Sequence, residues 1–133
     1  MPNKKTVATA FVLVLLFIVG AHFAGSAEGW YFTRWWFDML LHFLGGFWLF
    51  TAFLHITGRL TPNFLSADKK REIFLGGMAT VIAIGLAWEI FEYILGVAMT
   101  KDDYLFDTLT DILMDITGGA LAGLFFIRRR QIL

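Results

Sequence analysis

Seven residues in this chain have the types and spacing to do chemistry together. They are Asp38 and His42, Glu89 and Glu92, and Asp107, Asp111 and Asp115. Helical residues three or four apart share a face. Asp38 and His42 are i, i+4, with Gly45 and Gly46 continuing nearby; Glu89 and Glu92 are i, i+3, flanked by Gly85 and Gly96. The three aspartates are i, i+4, i+8 and lead to Gly118 and Gly119. Clustered carboxylates with one imidazole and no fixed cation suit a divalent metal. Hard oxygen ligands favour Mg²⁺, Ca²⁺ or Mn²⁺, and the histidine adds scope for Zn²⁺ or Fe²⁺. Glu and His on facing helices of a bundle core can build such a site. The Glu-x-x-His spacing of di-iron proteins is absent. The alternative chemistry is carried by protons: a proton or cation path, or general acid–base work.

The elements that must position these residues are hydrophobic spans. Of 133 residues, 58% are hydrophobic and 17% charged, with mean hydropathy +0.68. An ordinary soluble domain is about 45–50% apolar and about a quarter charged. That balance argues against a single soluble domain and against a disordered chain. No cysteine is present. Disulfides, thiolate metal sites and a cysteine nucleophile are therefore ruled out. Zero net charge argues against nucleic acid as a partner.

A bilayer core needs roughly 20 apolar residues in a helix. Four stretches qualify, at about 7–25, 36–57, 73–99 and 105–127. Their connections are short, which predicts an all-α membrane protein: one integral domain, a four-helix, antiparallel up-down-up-down bundle. The first stretch also resembles a signal peptide, with Lys4 and Lys5 before it and Gly25-Ser26-Ala27 after it. It is longer than a typical apolar signal core of about 7–15 residues, so a retained helix is expected. Thr61-Pro62-Asn63 marks a turn, and Ser66 is placed to cap the third helix.

Cytoplasmic flanks are enriched in Lys and Arg. Lys4, Lys5, Arg59, Lys69, Lys70, Arg71, Arg128, Arg129 and Arg130 all fall on one side of four spans, with only Arg34 and Lys101 on the other. Both termini are therefore expected in the cytoplasm, and the C-terminal arginines read as a topology anchor. Trp30, Tyr31, Trp35, Trp36 and Tyr104 gather at the opposite boundary as an aromatic belt. The charge then divides unequally. The cytoplasmic flanks sum to +7, the outer segments to −1, and the spans, holding six acids and no Lys or Arg, to −6 if ionised.

A central Asp costs about 2.5–3.5 kcal/mol on insertion scales, so six acids in the spans need protons, water or a cation. Their depths agree. At a rise of about 1.5 Å per residue, Asp38 and Asp107 lie near the outer boundary. His42, Glu92 and Asp111 lie roughly 10 Å in, and Glu89 and Asp115 near mid-membrane. Three glycine-rich acidic stripes at matched depth are expected to face one another. Asp38 and Asp107 have an equal alternative in snorkelling to the interface or capping a helix. His22 reads as an interfacial histidine, and His55, thirteen residues beyond His42, as uninvolved. Trp88 either walls the site or faces lipid. Thr108, Thr110 and Thr117 are candidate donors to the acids.

At these residues the sequence resembles the VanZ-like group of small bacterial multipass membrane proteins. The resembling stretches are Phe37-Asp38-Met39-Leu40-Leu41-His42-Phe43, Trp88-Glu89-Ile90-Phe91-Glu92, and Asp107 through Asp115 with Gly118-Gly119-Ala120. The resemblance implies a four-helix inner-membrane envelope protein with a polar cluster between its helices, some relatives being linked to glycopeptide resistance. Where that group often has Gln after the glutamate and Asn before the final glycines, this chain has Glu92 and Asp115. The greater acidity favours cation binding. The reading is a divalent-metal site of His42, Glu89, Glu92, Asp111 and Asp115, with Asp38 and Asp107 at its mouth. It is open to the extracytoplasmic side and acts on membrane lipids or a lipid-linked substrate. A proton- or cation-conducting transporter, and an accessory subunit bound to a membrane protein partner, are the competing expectations.

Overall fold

The computed structural model describes residues 4–65, 67–96 and 104–128, all helical apart from short turns. Helix α1 is Lys4–Ala27, α2 the short Trp30–Thr33, and α3 Trp36–Leu60. Two 3-10 turns, Pro62–Leu65 and Ala67–Lys69, lead into α4, Lys70–Leu95, and α5 is Tyr104–Arg128. Three of these helices are long and apolar enough to cross a membrane: Trp36–Leu60, Lys70–Leu95 and Tyr104–Phe126. In α1 the apolar run Phe11–Ala27 is shorter. Large apolar side chains such as Leu13, Phe23, Ile94, Leu105 and Phe106 point outward, as they do when the surrounding solvent is lipid.

The elements end for local reasons. Gly29 takes the left-handed conformation at φ 67°, which costs a glycine little, and turns the chain from α1 into α2. Gly96 does the same at φ 68° and caps α4, its N–H bonding back to Tyr93 O. A left-handed glycine is the common way to end a helix. The hydropathy pattern carries the third span on to Met99 and enrols Gly96 in the helix-packing stripe. A Cβ on Gly96 would meet nothing within 4 Å, so its use is the turn. Lys69, without a side-chain cap bond, occupies the N-cap position of α4. Ser66, Met99, Lys101, Asp102, Asp103, Arg129 and Arg130 lie outside the described residues.

Helices α3, α4 and α5 form the centre, with α3 packed most extensively on α5 and α1 laid along α3. Contacts between α3 and α4 run antiparallel, from Phe53 against Gly76 to His42 near Glu89. The α1–α3 contacts also run antiparallel, Phe11 on Trp48 and Gly25 on Phe37. Glycines decide how close the helices come. A Cβ on Gly46 would strike the backbone of Asp115, and one on Gly118 would strike the carbonyl of Phe43. The α3 and α5 backbones therefore touch, the approach that small residues permit in membranes.

One half of this three-helix core is apolar. Phe50, Leu54, Ile73, Val81 and Ala122 are buried together, with Phe53 and Phe74 packed against them. The rings of Phe50 and Phe74 occupy space that Gly77 and Gly123 leave vacant. The other half, toward the first turns of α3 and α5, contains the acids.

Candidate functional site

His42 lies at the centre of the polar half. It is buried on α3, and its two ring nitrogens face different partners. Nδ1 is 3.3 Å from Asp115 Oδ2 on α5. Nε2 is 3.8 Å from Asp38 Oδ1 on α3, 3.9 Å from Glu89 Oε1 on α4 and 3.9 Å from Asp111 Oδ2 on α5. Three helices thus deliver three carboxylate oxygens, nearly equidistant, around one nitrogen. Glu89, Asp111 and Asp115 are 5%, 2% and 4% exposed, so these groups have left water almost completely.

Local geometry explains which residues meet. Asp38 and His42 stack one helical turn apart on α3, and Asp111 and Asp115 do the same on α5. Gly85 leaves room for the Asp115 carboxylate, since a Cβ there would lie 2.5 Å from Oδ2. The glycine stripes are therefore what let the acids converge.

Polar satisfaction within the cluster is uneven. Thr108 Oγ1 donates to Glu89 Oε2 at 2.7 Å. Glu89 Oε1, buried and aimed at His42, has no hydrogen-bond partner among the described residues. A buried acceptor left unbonded costs about 1–3 kcal/mol, more when charged. Nearly all buried polar groups are satisfied, so this oxygen calls for a partner of another kind. Asp38, His42 and Asp111 each offer one ligand atom, all within 4.8 Å of one another.

Of the seven residues singled out by sequence, five make up this constellation: Asp38, His42, Glu89, Asp111 and Asp115. Glu92 and Asp107 lie one turn further toward the end of the bundle, partly exposed. Of the three threonines, Thr108 reaches an acid. Thr110 and Thr117 bond back to Phe106 O and Leu113 O of their own helix. His55 stacks on Phe11 at 5.5 Å, in the apolar half.

By sequence, Tyr31 belongs to an aromatic belt and His22 reads as interfacial. The belt divides instead. Trp35 and Trp36 are 79% and 43% exposed, whereas Tyr31 turns inward and meets His22 Nδ1 at 2.6 Å. Burial, and then the negative charges of Asp38, Glu92 and Asp111, raise the Tyr31 pKa and keep its phenol neutral. Trp88 lies edge-on to His22 and against Phe91, and its side chain also hydrogen-bonds Glu92, so it touches both this pair and the rim of the acids. The short turn made by Gly29 is what brings Tyr31 back over the bundle, and no periodicity signals it.

Apolar helices long enough to span a bilayer, closed around a buried carboxylate–histidine cluster, define a helical integral membrane protein with an ionisable core. The chain belongs to the family described as "Predicted membrane protein (DUF2238)", whose model matches residues 1–131. Neither a curated protein nor a solved structure matches it. The likeness to VanZ-like proteins therefore rests on the three motifs alone.

Proposed function

We propose that the protein binds a divalent cation between α3, α4 and α5, with His42 Nε2, Asp38, Glu89 and Asp111 as ligands. The single observation that carries this is the buried, unbonded Glu89 Oε1 facing an imidazole nitrogen that two further carboxylate oxygens also approach. Asp115 then has a separate task. A metal-bound histidine commonly gives its other N–H to a carboxylate, which fixes its tautomer and orientation. Asp115 Oδ2 is placed to receive the Nδ1 proton, leaving the Nε2 lone pair for the ion.

The donor spacing suits an ion in this class. Tetrahedral ligands at about 2.1 Å from an ion lie roughly 3.4 Å apart, and at about 2.4 Å roughly 3.9 Å apart. The three distances from Nε2, 3.8 Å, 3.9 Å and 3.9 Å, fit that spacing; the ligand atoms of Asp38, His42 and Asp111 lie within 4.8 Å of one another and Glu89 falls outside that group, so the carboxylates close in when an ion binds. Mg²⁺, Ca²⁺, Mn²⁺, Zn²⁺ and Fe²⁺ all remain compatible with the donor types. A cation also supplies the positive charge that the spans lack.

In this reading α1, of 24 residues and therefore about 36 Å long, is a fourth span. The Lys and Arg distribution puts both termini in the cytoplasm of a cytoplasmic (inner) membrane. The cluster then opens to the extracytoplasmic side, where the metal serves a reaction on lipid or lipid-linked envelope material, the setting that the VanZ-like motifs also suggest. The transporter alternative has less support: the buried acids stop short of Phe50 and Val81, both fully buried.

Elemental analysis of purified protein tests the metal directly. A stoichiometric divalent ion, lost in Glu89→Ala and Asp111→Ala, is expected. Protein free of divalent metal, with a thermal melt indifferent to EDTA, overturns the reading.

A further inference from the structure

Outside the cluster, α1 and α2 contribute a phenol and an imidazole that the cation site does not use. Tyr31 and His22 come from elements on either side of the Gly29 turn, and their 2.6 Å bond ties α2 to α1. The pair is packed rather than loose. The Tyr31 ring lies edge-on to Phe37 at 5.1 Å, and Phe37 is the buried residue immediately before Asp38. Phe37 in turn fills the space beside Gly25, where any Cβ would overlap its ring. His22 precedes Gly25 by three residues and so shares its face of α1. Its ring meets Trp88 of α4 edge-on at 6.0 Å. The Tyr31–His22 bond therefore joins α1 and α2 to both α3 and α4 at the end of the bundle where the acids lie.

We propose that Tyr31 and His22 are further residues of the site: positioning groups whose hydrogen bond closes its outer end and governs how fast water-borne cations reach Asp38. This rests on the cation-site reading for the identity of what passes, but the closure itself does not. Several features support it. Tyr31 packs on Phe37, the residue immediately before Asp38, so its ring lies at the Asp38 end of the cluster. The opposite end of the core is closed by Phe50 and Val81. The segment bearing Tyr31 has four helical residues between a left-handed Gly29 and a non-helical Arg34, φ −133° and ψ 86°. A single hydrogen bond between phenol and imidazole is of the right strength for a closure that opens often.

Because the chain has no cysteine, single-cysteine labelling reads access without background. The full-length chain carrying Asp38→Cys is placed in lipid nanodiscs and treated with a cationic, water-borne methanethiosulfonate. The labelling rate is compared with Tyr31→Phe or His22→Phe added, both of which keep an aromatic ring and remove the bond. Each is expected to accelerate labelling roughly two- to tenfold, the range one hydrogen bond supports. The pair together should add nothing further, because both delete the same bond. Glu92→Cys repeats the measurement in case Asp38→Cys does not fold. Equal rates in all backgrounds at either position overturn the closure, even if the protein holds a metal. Faster labelling in protein that binds no divalent ion upholds the closure and removes the cation-site reading.

Discussion

Adjacent glycines on α3 should respond oppositely to the same substitution. In Gly46→Ala the new Cβ would sit 2.7 Å from both Cα and the carbonyl carbon of Asp115 and closer still to its carbonyl oxygen. Carbon atoms pack best at about 3.5–4.0 Å, so the α5 backbone must retreat by at least roughly 0.8 Å. No side-chain rotation can absorb this, because the obstacle is main chain. Overpacking of this kind costs about 1–3 kcal/mol. In Gly45→Ala the nearest atom is Asp115 Oδ1 at 3.8 Å, an ordinary contact. Replacing a helical glycine there gains up to about 1 kcal/mol. The two variants should differ by roughly 1–4 kcal/mol in unfolding by SDS, followed by circular dichroism at a fixed ratio of lipid to detergent. The retreat also carries the Asp115 carboxylate away from His42, stretching the 3.3 Å contact to about 4 Å. A metal site tolerates about 0.5 Å, so Gly46→Ala should also bind Mn²⁺ more weakly. If Gly46→Ala is as stable as Gly45→Ala, the direct α3–α5 backbone contact is refuted.

Thr108→Val removes the donor to Glu89 Oε2. A supporting group of this kind is worth about 10–100-fold in metal affinity, measurable by Mn²⁺ titration calorimetry. Glu89→Gln should abolish metal binding yet leave the metal-free protein equally or more stable in the same SDS assay, because a buried carboxylate with one unbonded oxygen is gone; a less stable metal-free variant speaks against it. EDTA treatment of protein held at about a hundredfold excess of metal over Kd should cost about 2.7 kcal/mol of stability, restored when metal is returned. Trp48→Phe removes the indole bond to Phe11 O, which holds α1 on α3. It should cost about 0.5–1.5 kcal/mol in the SDS assay while Mn²⁺ affinity stays unchanged.

How much of the site is legible in the sequence depends on whether a feature is periodic. The acids on α3, α4 and α5 lie at helical spacing, so their shared faces and common depth can be read directly, and four of them converge on His42. What the period does not specify is which turn of one helix stands level with which turn of another. Glu92 and Asp107 share stripes with Glu89 and Asp111 but lie a turn above His42. Counting a rise of about 1.5 Å per residue from uncertain helix ends is too coarse to separate them. Gly96 shows the same limit: a glycine four residues after Glu92 fits a packing stripe and a C-cap equally well, and only the φ of 68° distinguishes them. The Tyr31–His22 bond is illegible for a different reason. It depends on a reversal at Gly29, and a turn of that sort redirects an aromatic residue without leaving any pattern in the residues around it.

The more extensive packing of α3 on α5 than on α4, its neighbour among the long helices, has a consequence for biogenesis. Helix α3 ends at Leu60 and α5 begins at Tyr104, so the ribosome adds more than forty residues between the two. At about 5–20 residues per second this takes roughly 2–9 s. During that interval Asp38 and His42, joined by Glu89 only in its later part, occupy the translocon or the bilayer without Thr108, Asp111 or Asp115. The glycine face of α3 is equally uncovered. The order of synthesis makes α5 the keystone. A translation product cut short before it presents the unpaired acids and bare small-residue face by which membrane quality control can tell it from the finished fold.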